Sequence, residues 1–155
     1  MTHGSKTKVF GLPGFSLMEL IVIMCVAAII TTIAIPVFRQ YEPSIKLRAD
    51  AQQLTADLRY IQQLTITQQK VYYLEVDMPN KRYSLVKQED AATPVKTVTL
   101  SEGVSFQSVS GFDDYRVIYN SYGAVSQSGN IVLVNSDERT YTVYVRPSGY
   151  VQLQQ

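Results

Sequence analysis

The side chain whose chemistry most needs explaining is Glu19. It stands at the edge of an apolar run, with Phe15, Leu17, Met18 and Leu20 around it and no basic residue near it in sequence. An ionised carboxylate at membrane depth costs several kcal/mol unless it is paired, protonated or close to the headgroups. Two compensations are open. The carboxylate can snorkel to the interface, or it can meet a cation made by proteolysis. A cut after Gly14 would free the amine of Phe15 one helical turn from Glu19, where it could neutralise the carboxylate of its own chain or of a neighbour packed one subunit away.

Other reactive side chains are scarce. His3 and Cys25 are the only residues of their types, His3 within the first fourteen residues and Cys25 inside the apolar run. Without a histidine beyond that start, Ser-His-Asp and Cys-His catalysis and zinc sites built from His and Cys lack their parts. A lone cysteine forms no intrachain disulfide and packs as a small apolar group. No phosphate-cradling glycine loop occurs. The adjacent acids Asp113 and Asp114 could contribute to a calcium site, but such pairs more often form a solvated turn, and the same reading makes Asp137-Glu138-Arg139 a hairpin tip. The chain is therefore expected to be no enzyme and to need no cofactor.

The elements that must position Glu19 follow from periodicity. Leu20 to Val37 reads LIVIMCVAAIITTIAIPV, uncharged and polar only at Thr31 and Thr32. As a helix rising about 1.5 Å per residue it just crosses a hydrocarbon layer of roughly 30 Å. Pro36 removes one backbone hydrogen bond near its end and favours a kink there, while Pro43 suits the first turn of a following helix. Beyond it Leu47, Ala51, Leu54, Leu58 and Ile61 recur at spacings of four and three, an amphipathic helix over 44–67 whose stripe needs a partner.

From Lys70 onward the period becomes alternating, rich in Val, Tyr and Thr. Strands are expected at 71–76 and 83–86, joined through Met78-Pro79-Asn80-Lys81 with asparagine at the second corner, then at 97–100, 115–119, 131–134, 141–145 and 150–153. Gly111, Gly123, Gly129 and Gly149 mark joints, and Glu89 to Thr93 reads as a mobile loop. Tyr72, Tyr73, Tyr115, Tyr119, Tyr141 and Tyr144 fall on these strands, where aromatics pack across a sheet. The expected fold class is α+β: a long N-terminal helix, one half transmembrane and one half amphipathic, packed on an antiparallel β-sheet.

A secretory signal carries its small-residue cleavage site after the apolar stretch. Here Gly14 precedes it, behind a start holding Lys6 and Lys8 and no acid. Gly14-Phe15-Ser16-Leu17-Met18-Glu19 followed by a continuous apolar helix resembles the processing motif of type IV prepilins and type II secretion pseudopilins. The resemblance implies that a membrane aspartyl peptidase, the prepilin peptidase, cuts between Gly14 and Phe15 and methylates the amine of Phe15, and that Glu19 serves assembly. It implies a pilin fold, melting of the helix near Pro36 on passage into the filament, and other pilins or pseudopilins, an inner-membrane assembly platform and membrane lipid as partners. The final segment, from VIYNSYGAV to GYVQL, resembles minor pseudopilins of the GspH and FimT type and favours a minor subunit.

The plan is a cleaved leader over 1–14, a transmembrane or filament-core helix over 15–38 and a soluble domain over 39–155, with strands over 70–155. On family grounds the domain lies outside a cytoplasmic membrane crossed once, although Arg39, Lys46 and Arg48 follow the span as Lys6 and Lys8 precede it. A structural subunit of a type II secretion filament is the first expectation. The alternative is a DNA-binding minor pilin of an uptake pilus. Without Lys6 and Lys8 the remaining basic side chains fall within one of the 13 acidic ones, and the tail Gln152-Leu153-Gln154-Gln155 is uncharged, so a general pull on nucleic acid is not expected.

Overall fold

The computed structural model describes residues 15–88 and 94–155. The leader expected over 1–14, Gly14 included, and the loop expected over Glu89 to Thr93 lie outside the described residues. The chain divides into two compact units, one ending at Arg39 and the other spanning Gln40–Gln155. A single helix, α1 (Leu17–Gln68), supplies residues to both. Pro36 and Pro43 lie inside α1, so Pro43 does not open a second helix. A proline deletes one i→i−4 bond, but the turns on either side keep theirs and the helix continues.

In the first unit, Leu17–Ile35 has a mean hydropathy of 2.6 and no buried residue. Its length of about 28 Å at 1.5 Å per residue suits a bilayer core. Thr31 and Thr32 donate their hydroxyls to the carbonyls of Ala27 (2.6 Å) and Ala28 (2.8 Å). Those bonds leave the only two hydroxyl groups of the span satisfied within the helix itself, which lipid cannot do for them.

In the second unit the expected stripe is the core: Leu47, Ala51, Leu54, Leu58 and Ile61 are all fully buried, while Gln52, Ala56 and Gln63 on the opposite face are exposed. The helix stops where Gln69 turns left-handed at φ 54° and its side-chain Nε2 donates to the Ile66 carbonyl at 2.7 Å. That bond satisfies one of the carbonyls that a helix end leaves without a partner.

Eight strands follow: β1 (Tyr72–Asp77), β2 (Arg82–Lys87), β3 (Pro94–Thr99), β4 (Val104–Ser110), β5 (Arg116–Tyr119), β6 (Gly129–Asn135), β7 (Thr140–Val145) and β8 (Val151–Gln154). The expected antiparallel sheet is two four-stranded ones, ordered β3-β2-β1-β5 and β4-β6-β7-β8. The chain crosses between them more than once: β4 enters the second sheet, β5 returns to pair with β1, and β6 to β8 complete the second, with the bridge Tyr119↔Val125 just after β5. β4 was not expected, since its alternation over Val104 to Gln107 is cut short by a register shift between Phe106 and Ser108. Tyr115 is not in a strand: it lies in the 3-10 turn Asp113–Tyr115 with φ 55°, and β5 begins one residue later. The β1–β2 turn is closed by Lys81 N donating to Met78 O at 3.1 Å. Lys81, not Asn80, takes the left-handed corner at φ 50°, and Asn80 instead holds the Asp77 carboxylate through its amide.

Inward residues of both sheets, among them Leu74, Tyr83, Tyr119, Ile131, Leu133 and Val143, join the helix stripe in one apolar cluster. At the helix end Gln62 Nε2 donates to the Gly123 carbonyl at 2.8 Å. Gly149, at φ 78°, sits so close to that carbonyl and to the Gln62 amide that a Cβ would collide with both. Glycine is thus required there for conformation and for space. Leu58→Ala should lower the unfolding free energy by about 2–5 kcal/mol, against a change within about 0.5 kcal/mol for Gln52→Ala; urea unfolding followed by circular dichroism measures both.

Candidate functional site

Ser16 O accepts from Leu20 N at 3.1 Å, which closes the first turn of α1 around Glu19, four residues after Phe15. Glu19 is the acid of that first turn and the only charged residue in Leu17–Ile35. Two local features favour a carboxylate here. The helix N-terminus carries partial positive charge, and Ser16 with Glu19 has the Ser-x-x-Glu spacing of a capping box. Phe15 is 75% exposed and Leu17 76% exposed, so the beginning of the helix presents an aromatic ring and an apolar surface together with one acid. Cys25 is also exposed along this span. Of the residues expected to form the site, Glu19 lies in the first turn of α1, Phe15 precedes that helix by two residues, and Pro36 lies further along it.

Sequence reasoning missed the polar contacts that hold the soluble part of α1 in place. Asp57, 4% exposed, accepts from Tyr83 Oη at 2.7 Å, Lys96 Nζ at 2.6 Å and Gln53 Nε2 at 3.1 Å. A buried carboxylate is tolerable only when so paired. Asp50 similarly accepts from the Ser101 backbone N–H at 2.8 Å and its hydroxyl at 2.9 Å. Both acids are on the apolar side of the helix: Asp57 adjoins Leu58 and lies three residues after Leu54. An acid set in an apolar stripe was the available signal, since such a group demands a partner. Arg59 adds a bond to the Val151 carbonyl at 3.1 Å, tying the helix to β8.

Several acids elsewhere are engaged too. A surface groove of about 570 Å³ is lined by Glu75, Asp77, Arg82, Asp114 and Tyr115. Glu75 pairs with Arg116 at 2.7 Å and Asp77 with Arg82 at 2.8 Å. The Asn80 amide, and after it Arg82, holds the Asp77 carboxyl below the usual carboxylate range. Asp113 exchanges two hydrogen bonds with the Gln127 side chain. Among the described residues no group of three or more His, Cys, Asp or Glu is placed to hold a metal ion. The Asp137-Glu138-Arg139 segment is a hairpin tip as expected, with Asn135 Oδ1 accepting from the backbone N–H groups of Asp137 and Arg139 and Glu138 at φ 61°.

Two buried tyrosines differ in a testable way. Burial, then the Asp57 bond, raises the Tyr83 hydroxyl far above its ordinary pKa of 10.0, and burial alone raises that of Tyr119. Tyr119 Oη has no hydrogen-bond partner among the described residues. Tyr119→Phe should therefore leave stability unchanged or raise it by up to about 1 kcal/mol, whereas Tyr83→Phe should cost about 1 kcal/mol. A group whose folded pKa is raised stabilises fully below its unfolded pKa, so stability is complete below about pH 10 and falls as pH rises past it. The double variant should show a shallower alkaline loss in thermal unfolding from pH 8 to 12, reporting on these two hydroxyls.

Comparison with known proteins bears on the same residues. The family profile described as type II transport protein GspH matches residues 50–149. The minor pseudopilin EpsH of the type 2 secretion system of Vibrio cholerae is similar in structure, with a TM-score of 0.61 at 13% identity over 70% of this chain and 96% of that one. The type IV minor pilin FimU of Pseudomonas aeruginosa has a TM-score of 0.59 at 12% identity over 74% of this chain and 92% of that one. At these identities the likeness is one of fold. No curated protein matches the chain.

Proposed function

The chain belongs to the type II transport protein GspH family, and from that premise we propose that it is a structural minor subunit of a type IV pilus-like filament serving type II secretion. The observation that carries this reading is the lone acid in the first turn of an exposed apolar helix, Glu19, four residues after Phe15 and in a chain with a GspH-type domain. The helix anchors the precursor in the cytoplasmic membrane as a single span, with the domain on the extracytoplasmic side. Prepilin peptidase cuts between Gly14 and Phe15 and methylates the new amine. That amine neutralises Glu19, in the same chain or in a neighbour, when the helix leaves lipid for the filament core.

A carboxylate at the membrane edge can reach water by snorkelling, but a carboxylate packed among apolar helices cannot, and an unpaired charge there opposes assembly. Cleavage supplies the counter-charge at the one position where the helix geometry can use it. Pro36, which lacks a backbone N–H, is the point where the helix most readily melts as neighbours change, since filament contacts can satisfy freed carbonyls. The partners are then sister pilins or pseudopilins and the assembly platform, and the work of the protein is packing rather than catalysis.

Glu19→Ala should leave membrane insertion intact while reducing recovery of the chain with its sister subunits by about tenfold, the penalty of one lost charge pair. Co-purification at the wild-type level would contradict the role given to Glu19. Gly14→Leu should leave the chain at precursor size on a gel, and Gly14→Ala should still be processed. A mature-sized Gly14→Leu protein would place the cut elsewhere.

A further inference from the structure

The two sheets differ in charge. In the sheet β3-β2-β1-β5 every strand carries at least one charged residue, and its outward face is cross-linked by the Glu75–Arg116 and Asp77–Arg82 pairs. In the sheet β4-β6-β7-β8 no strand contains a single Asp, Glu, Lys or Arg. Its inward face is apolar core. Its outward face runs in cross-strand rows, Asn130–Tyr144–Gln152 and Val132–Thr142–Gln154, continued onto β4 by serines. None of these six residues is buried. The solvent face of an antiparallel sheet is normally polar, and on the neighbouring sheet of the same domain it is charged.

We infer that the outward face of β4-β6-β7-β8 is the surface on which a sister pilin-type subunit docks, an inference that rests on the filament reading above. Dehydrating an uncharged hydroxyl and amide surface avoids the penalty attached to buried charges, and charge depletion with an exposed tyrosine is the composition of an interface centre. At one corner a groove of about 440 Å³ is lined by Asn130, Tyr144, Arg146, Pro147, Gln152 and Gln154. Arg146 there has no acidic partner among the described residues, so a protruding segment with an acidic side chain fits it.

Size selects the occupant. Four strands about 4.8 Å apart and about six residues long at 3.3 Å each give a footprint of roughly 400 Å², half of the ~800 Å² per partner that a free-standing complex buries. A second free copy of this chain would be held too weakly by such a patch. A sister subunit already fixed alongside by its own apolar helix needs only this much, because tethering makes the second contact effectively intramolecular.

The test uses the full-length chain in its native envelope with its sister subunits present. A benzophenone photocrosslinker replacing Thr142 should give a discrete adduct with another pilin-type subunit, at least about tenfold more than the same probe replacing Ser84 on the charged sheet, and Val132→Lys and Val132→Glu should each reduce co-purification about fivefold or more, since burial penalises either sign. Any one of four results would overturn the inference: equal yields at positions 142 and 84, an adduct of twice the chain's mass, a high-mass smear removed by glycan-cleaving enzymes, or normal co-purification of both Val132 variants. Glu19→Ala run in parallel separates the two failures. If it assembles normally, the filament reading falls and this inference with it; if it fails to assemble while both Val132 variants succeed, the docking face alone is wrong.

Discussion

An apolar helical surface must be covered, and in this protein the side chains of Leu17–Ile35 are exposed nearly throughout in the isolated chain. Water is the one environment that surface cannot occupy, because each exposed leucine or isoleucine forgoes about 1.5–3 kcal/mol of transfer free energy. Lipid can cover it, and so can a sheath of similar helices. The two hydroxyls within the span are turned onto their own carbonyls, so either cover is acceptable to them. Glu19 alone distinguishes lipid from a helical sheath, because it tolerates the membrane edge but needs a cation in a dry bundle. A helix apolar on all sides except for one acid in its first turn is therefore suited to moving from one cover to the other.

The rest of the molecule holds the second half of that helix against the two sheets. The buried stripe from Leu47 to Ile61 supplies the non-directional part, and Asp57, Asp50, Gln62 and Arg59 supply the directional part. The bond from Arg59 reaches β8 and that from Lys96 comes from β3, so the helix is bonded to an edge strand of each sheet. Buried ion pairs of this kind add little net stability but penalise any other register, since a shifted helix would leave the Asp57 carboxylate unpaired. A subunit whose helix register is fixed presents its outward sheet faces to neighbours in one orientation.

Much of this was legible in the residues. The helix stripe needed only period and burial, and its five members are all fully buried. The β1–β2 hairpin, the β6–β7 tip and the last strand followed from turn chemistry and alternation. What escaped depended on distant partners. β4 alternates only over Val104 to Gln107 before its register shift, and its pairing with β6 rather than its own pattern makes it a strand. The split into two sheets depends on β4 pairing with β6 and β5 pairing back with β1, partners that lie far from each of them in sequence. Asp57 beside the apolar stripe signalled a need for a partner, but the partners, Lys96 and Tyr83, come 39 and 26 residues later and could not be named from the sequence. At the helix start, Glu19 was visible because its oddity is local, one acid among apolar neighbours.

The central claim, that proteolysis creates the positive charge Glu19 requires, is tested most directly by the intact mass of the protein taken from its native membrane. The account predicts a chain that begins at Phe15 and carries one extra methyl group on its amine. A mass that retains residues 1–14, with Phe15 still joined to Gly14, would contradict it.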